Sequence, residues 1–297
     1  MQAALPALIN DTNIARITGA LRAIDNELNN YFADSDTAHL TNAVGTMDAP
    51  GPGLQHLHQA LQRSFGYWQP GRTPETVVAD LDLRPERRDE LLIKLLAALQ
   101  AWVPGSRTQL RGSLASGSAD QYSDIDICWV VPDASFAEAV DTTGAALSQV
   151  TAVLSLRTDP ELARSARRRL VFARLSHVPL FWRVDIDILA DSVAADDHPD
   201  ASNPDARSDE GWSAPASAIE NAIAAIKAAA RGHADTADGL LRRGCERIGH
   251  NLGPSADPAD TITNLADACA ALEPGLTNMA AEVSQLADHV LRPNRPA

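Results

Sequence analysis

Two carboxylates, Asp124 and Asp126, stand at the start of the hydrophobic run Ile125–Val131. A β-strand alternates its side chains between two faces, so both carboxylates are expected on one face and the isoleucines on the other. Two carboxylates this close repel each other unless a cation neutralises them. An all-oxygen site of this kind suits Mg²⁺, which takes its remaining ligands from water and phosphate. The pattern therefore predicts a divalent-metal site at one edge of a strand.

A glycine- and serine-rich turn precedes this strand and begins at Gly112 and Ser113. Small residues let a phosphate chain approach backbone N–H groups and hydroxyls closely, so a metal and a phosphate are expected side by side. Two metals that activate a hydroxyl and stabilise a leaving pyrophosphate need a third acid. The later strand offers Asp185 and Asp187, which share the face opposite its valine and isoleucines. Either of these residues could complete the set.

The glycine-serine pair, the Asp-x-Asp motif about ten residues later and the acid on a later strand resemble the DNA polymerase β nucleotidyltransferase superfamily. Within it, the segment GSLASGSADQYSDIDI is most similar to the small-molecule nucleotidyltransferases, including aminoglycoside adenylyltransferases. The motif-level resemblance covers roughly residues 107–189. The helical segment AIENAIAAIKAAARG resembles that family's C-terminal bundle more loosely.

The resemblance implies that Asp124, Asp126 and Asp187 are the catalytic carboxylates and that they ligate two Mg²⁺ ions. Asp187 is preferred because its IDIL context is similar to the third-acid strand of poly(A) polymerases, and Asp185 is its substitute. In the same family, a lysine on the following helix faces the triphosphate. The residues implied to bind the nucleotide are Gly112, Ser113, Ser123 and Lys227.

The expected reaction transfers a nucleoside monophosphate from an NTP, with ATP as the expected donor, to a hydroxyl of a small molecule, and it releases pyrophosphate. With 39 acidic against 25 basic residues, the net charge is −14, which disfavours nucleic acid as a partner. The acidic surface and the Asp-rich segment 191–210 favour a cationic acceptor, such as an antibiotic of the aminoglycoside type. The sequence thus predicts an antibiotic-modifying transferase.

Three alternatives stay open. The GS…SDID pattern after an N-terminal helix also resembles cyclic-dinucleotide and oligoadenylate synthases, whose acceptor is another nucleotide. A second enzyme variant adenylylates a protein side chain. The alternative outside enzymes is a nucleotide-binding regulatory module, for example an antitoxin-like partner of a helical RNase, and the complete set of carboxylates disfavours it.

The periodicity of apolar residues predicts which elements position these groups. Helical spacing is strongest over 84–102, and it also predicts helices over 12–32, 54–65, 136–156, 219–230, 240–248 and 262–291. Strands are predicted over 108–110, 125–131, 170–173 and 181–189, and an acidic linker over 191–215. The result is an α+β fold with three parts. They are an N-terminal helical segment (1–82), a mixed-sheet nucleotidyltransferase core (83–200) and a C-terminal helical domain (201–297).

The 297 residues, of which 45% are hydrophobic, are enough for a sizeable core, and no apolar run approaches the ~18 residues of a membrane helix. Three distant cysteines without metal-binding spacing and an N-terminus without a signal sequence predict a cytoplasmic protein with reduced thiols. No chemistry is assigned to the first 80 residues. Capping the core, forming a homodimer and lining the acceptor cleft are the roles open to them.

Overall fold

The computed structural model describes residues 81–196, 199–200, 203–251 and 257–292. The helices predicted over 12–32 and 54–65 lie outside these residues. The described helices are α1 (Pro85–Trp102), α2 (Gly112–Ser116), α3 (Phe136–Ser148), α4 (Ala214–Ala230), α5 (Ala234–Ile248), α6 (Pro258–Leu272) and α7 (Thr277–Leu291). The described strands are β1 (Arg107–Leu110), β2 (Ile125–Val131), β3 (Val153–Thr158), β4 (Arg168–Leu175) and β5 (Val184–Ala190). Short 3₁₀ turns join several of them.

The five strands form one mixed sheet in the order β1-β2-β5-β4-β3. Strands β2 and β5 are parallel neighbours, whereas the pairs β1–β2, β4–β5 and β3–β4 are antiparallel. The predicted α+β class with a mixed sheet is therefore confirmed. The parallel pair matters most for function, because it places the starts of the two Asp-bearing strands at the same end of the sheet.

One face of the sheet is apolar and forms the main core. Side chains that alternate along β2 and β5 point to this face and are at most 1% exposed: Ile125, Ile127, Trp129, Val184, Ile186 and Ile188. Helices α1 and α3 pack against this face and against each other. Helix α1 contributes a stripe at three- and four-residue spacing, Leu92, Leu95 and Leu99, as its sequence predicts.

The opposite face carries the charged side chains, and two side chains of α4 reach it. Lys227 and Glu220 of this helix reach side chains that extend from the sheet. Helix α4 also contacts α5, α6 and α7, so it is the central helix of the C-terminal third. Its burial explains its sequence, since Ala and Ile fill most positions and only a few charged residues interrupt them.

The helix predicted over 136–156 ends earlier than expected, at Ser148, and residues 153–158 form strand β3 instead. The prediction was wrong for this stretch because a short apolar run fits either period. Pairing with β4, which comes later in the chain, stabilises the extended form. The described residues contain no helix that is both long and apolar enough to cross a membrane. Cys128, Cys245 and Cys269 are all buried free thiols.

Candidate active site

The register of the sheet places Asp126 beside Asp185. These two residues are paired across the parallel strands β2 and β5, which are about 4.8 Å apart in any sheet. Asp124 precedes Asp126 by two positions on the same face. Asp187 is level with Cys128 instead, two positions farther along its strand. The structure therefore brings Asp124, Asp126 and Asp185 together and leaves Asp187 one row away.

Asp187 is held by two arginines. Its carboxylate accepts a hydrogen bond from Arg111 Nη1 at 2.6 Å and another from Arg168 Nε at 2.9 Å, and the residue is 5% exposed. Both of its oxygens accept hydrogen bonds from guanidinium groups, one row away from Asp124 and Asp126. The register therefore favours Asp185 over Asp187, the residue preferred from the sequence, as the third carboxylate of the candidate site.

The side chain of Asp126 has no hydrogen bond or ion pair with any residue that the structure describes. Burial, together with the charges of Asp185 and Asp124, raises the pKa of its carboxyl group to about 6. A half-buried carboxylate between two others is the arrangement that a cation would stabilise most. The environment of Asp126 thus fits the metal site that its sequence motif predicts.

The flanking carboxylates are neutralised by cations of the protein itself. Lys227 Nζ lies 2.7 Å from Asp124 Oδ1, and the backbone N–H of Arg183 donates to the same oxygen at 3.1 Å. The guanidinium of Arg183 makes two hydrogen bonds to Asp185, each 2.6 Å long. Burial lowers the pKa of Lys227, whereas the neighbouring Asp124 raises it. Lys227 and Arg183 therefore neutralise the two carboxylates that a bound metal ion would otherwise neutralise.

Among the described residues, no group of three His, Cys, Asp or Glu side chains is arranged as a ready-made metal site. The carboxylates of Asp124, Asp126 and Asp185 offer oxygen ligands only, which is the donor set that Mg²⁺ prefers. A metal ion at Asp126 would have to compete with Lys227 and Arg183 for the two outer carboxylates. The donor chemistry fits Mg²⁺, and the arrangement is one in which the protein's own cations hold the outer ligands.

Gly112 lies directly against Asp126. It begins α2 with a φ angle of +57°, and a Cβ atom there would collide with Asp126 Oδ2, so both the backbone conformation and the space require glycine. The N–H of Arg111 donates to the carbonyl of Asp126 at 2.9 Å and fixes this contact. The first amides of a helix lack intrahelical partners, so the Gly112–Ser113 turn lies beside the carboxylates with its donors available. The predicted phosphate-binding pair is therefore adjacent to the predicted metal site.

Ser123 has a different role from the one that the motif implies. Its hydroxyl donates to Asp120 Oδ1 and accepts from the backbone N–H of Asp120, both at 3.0 Å, and the residue is buried. Arg231 holds the other end of this turn through two 2.6 Å hydrogen bonds to the Asp120 carboxylate. Ser123 closes the turn that leads into β2, and its hydroxyl is not directed to a nucleotide.

Sequence reasoning did not identify Glu220, which connects this site to the rest of the charged face. Arg174 Nε donates to it at 3.0 Å, and Arg157 and Arg183 each lie 3.4 Å from one of its oxygens. Burial opposes ionisation of Glu220, but the three arginines outweigh it and hold its pKa below the usual range. A glutamate on the apolar stripe of α4 was the available signal, because a charge in such a position needs partners.

Comparisons of the chain with family models, with curated proteins and with solved structures found no match in any of the three. The assignment of the site depends on its own geometry.

Proposed function

We propose that this chain is a Mg²⁺-dependent nucleotidyltransferase of the DNA polymerase β type, which transfers a nucleoside monophosphate from ATP to a hydroxyl of a small molecule. One observation carries the proposal. Among the described residues, the Asp126 carboxylate has no counter-ion, and it lies between the turn at Gly112 on one side and Asp185 on the other. Transfer at phosphorus is catalysed mainly by positioning and by charge neutralisation, which this arrangement supports.

In this proposal, each residue of the site has a role that follows from its position. Asp124, Asp126 and Asp185 would hold the metal, which when bound neutralises the triphosphate and acidifies the acceptor hydroxyl. The first turn of α2, at Gly112 and Ser113, binds phosphate oxygens through backbone N–H groups. Lys227, when it leaves Asp124, donates to the phosphates from the opposite wall.

The order of the strands gives the direction of attack. The phosphate-binding turn joins β1 to β2, whereas Asp185 lies on β5, on the far side of Asp126. The leaving pyrophosphate and the attacking hydroxyl take opposite sides of the phosphorus in an in-line displacement. The acceptor therefore enters from the β5 side, and Asp185 accepts the proton of its hydroxyl as the new O–P bond forms and the bond to pyrophosphate breaks.

Release of Asp185 for this role leaves Arg183 with another partner. Its guanidinium is already 3.4 Å from Glu220, and it packs 4.6 Å from the centre of the Phe172 ring. A guanidinium that loses one carboxylate while it keeps another avoids the cost of an unpaired buried charge. Arg183 can thus exchange partners without leaving the site.

The test is mass spectrometry of the products after the full chain is incubated with Mg²⁺, all four NTPs and a pool of hydroxylated amines and antibiotics. We expect a nucleotidylated small molecule and pyrophosphate from the wild type and neither from Asp126→Asn. The matched control is Asp235→Asn, which changes an exposed acid at the start of α5 and should act like the wild type.

Other outcomes would redirect the proposal. Products made only of nucleotides would indicate a cyclic-dinucleotide or oligonucleotide synthase. A nucleotidylated protein would indicate a protein adenylyltransferase. Nucleotide binding without consumption would indicate a regulatory module, and full activity of Asp126→Asn would remove the metal site.

A further inference from the structure

A pocket of about 150 Å³ opens at the β3 edge of the sheet, between this strand, the segment before α4 and the turn that leads into α7. Leu154, Leu276 and Met279 supply apolar lining. The lining also includes Trp212 and four charged residues. A largely apolar pocket with a few converging polar groups is the usual form of a small-molecule site.

The pocket lies on the same face of the sheet as the carboxylates. The register pairs Asp185 with Phe172 and Phe172 with Arg157, and Arg157 lines the pocket. Glu220 belongs to both places, because it lines the pocket and also contacts Arg183, which holds Asp185. Along α4, the seven residues from Glu220 to Lys227 span about 10 Å. The pocket and Asp126 are thus separated by roughly the length of one small molecule, and the pocket lies on the side from which the acceptor enters.

The inner end of the pocket is electrostatically satisfied. Arg157 lies between two aromatic rings, 5.9 Å from the centre of Phe172 and 5.6 Å from the centre of Trp212, and it pairs with Glu220. The aromatic packing fixes the guanidinium, and Arg174 adds a further positive charge behind Glu220. This end offers hydrogen bonds to a neutral hydroxyl and no free negative charge for a cation.

The outer end of the pocket carries acids that lack strong partners. Glu273 is half-buried, and its partner among the described residues is the hydroxyl of Ser213, with no basic side chain paired to it. Glu210 is 88% exposed and lies 3.8 Å from Arg164, a distance at which a surface ion pair contributes little. A positive charge at this end would meet two carboxylates next to the Trp212 ring.

We infer that this pocket binds the acceptor, and that the acceptor is an amine-bearing hydroxylated molecule with an apolar body. Its amine lies at Glu273, its apolar part lies along the leucines and Met279, and its hydroxyl points past Glu220 toward Asp185. The role of the ligand as an acceptor rests on the proposed function, whereas the preference for an amine is a property of the pocket alone. A polycation without an apolar surface fits it poorly, because Leu154, Leu276, Met279 and Trp212 line it.

The test measures binding to the full chain without nucleotide or metal, so that turnover is not needed. The probe is 2-amino-1-phenylethanol, which carries an amine, a hydroxyl and a phenyl ring. Its two matched probes are 1-phenylethanol, which lacks the amine, and mandelate, which carries a negative charge. The readout is the shift of the Trp212 indole N–H resonance, assigned by comparison with Trp212→Phe.

We expect the amine probe to shift this resonance and to bind at least about fivefold more tightly than either matched probe, as one ion pair would provide. Glu273→Gln should remove this preference. Glu138→Gln, an exposed change on α3 on the other side of the sheet, should keep it. Equal binding of the three probes, absence of any Trp212 shift, or an unchanged preference in Glu273→Gln would each overturn the assignment.

The two proposals fail separately. Asp126→Asn should abolish nucleotide transfer and leave probe binding unchanged. Probe binding with the expected preference in a chain that consumes no nucleotide would keep the pocket and refute the transferase. Nucleotide transfer by a chain whose pocket ignores the amine would keep the transferase and refute the pocket.

Discussion

Three carboxylates and a fourth one row away share one face of the sheet, and they differ in how their charge is balanced. Asp124, Asp126 and Asp185 outnumber the two cations beside them, and the Asp126 carboxylate has no hydrogen bond or ion pair with the described residues. In the next row, one carboxylate, Asp187, is outnumbered by two arginines. The two acids of the β5 Asp-x-Asp motif therefore differ: Asp185 belongs to the row with excess negative charge, and Asp187 is held by two arginines. Neighbours on adjacent strands make the difference.

The largest expected effect is a difference in turnover between variants of Asp185 and Asp187, the two acids of β5. Asp185→Asn should lower the rate of nucleotide transfer on the order of 10³-fold, because it removes a charge that acts at the reacting phosphorus. Asp187→Asn should keep most of the turnover per folded molecule. Pyrophosphate release, normalised to the folded fraction measured by circular dichroism, checks both. A folded Asp187→Asn protein without activity would restore Asp187 as the third carboxylate.

Stability should show the reverse order. Asp187→Asn leaves Arg111 and Arg168 without their buried carboxylate, so the free energy of unfolding should fall by about 3 kcal/mol. Asp191→Asn, which breaks the exposed pair with Arg107, should change it by less than about 1 kcal/mol. Urea unfolding measures both variants. Equal losses in the two would mean that Asp187 is not an anchor.

A smaller effect is expected at Lys227, the cation that both the fold and the reaction use. Lys227→Met removes the partner of Asp124 and the donor to the phosphates, so turnover should fall by about 10²-fold. Lys94→Met, which changes the one other lysine on the exposed side of α1, is the control. Steady-state kinetics with varied ATP separates the two. Wild-type kinetics for Lys227→Met would leave this lysine with a purely structural role.

The smallest effect concerns pH. Because the pKa of Asp126 is raised from 3.8 to about 6, the folded chain binds this proton more tightly than the unfolded chain. This contribution to stability is present below about pH 4 and is lost as the pH rises through about 6. Asp126→Asn should therefore be more stable than the wild type at pH 7 by about 1 kcal/mol, after allowance for solvent screening. Urea unfolding of both proteins at several pH values measures this difference. If the stabilities of the wild type and the variant change in parallel between about pH 4 and pH 7, the raised pKa of Asp126 does not contribute.

Alternation along single strands was enough to predict which acids share a face, but it could not choose between Asp185 and Asp187. Both residues satisfy the same alternation, and only the register with β2 distinguishes them. That register depends on a pairing about 60 positions apart in the chain, which local patterns do not encode. Strand β3 was missed for a different reason, because a short apolar run fits either period and its pairing with β4 decides between them.

The helices were predictable because their periodicity is local. Helix α1 and strand β2 match their predicted ranges almost residue for residue, and the C-terminal third is helical as expected. The partners of Glu220 were not predictable, because its three arginines come from three different strands or their flanks. Ser123 was assigned to the nucleotide by its position in a motif, whereas its hydroxyl is committed to a turn.

The contact between Lys227 and Asp124 also has a consequence for synthesis, since 103 residues separate the two in the chain. A ribosome delivers the sheet first, and during that interval Asp124 and Asp126 emerge with no helix across them. The nascent chain therefore passes through a stage in which its carboxylates repel one another without the lysine. The candidate site is among the last parts of the described chain to be assembled, and a chain stalled before α4 would present an acidic, uncovered sheet to chaperones and proteases.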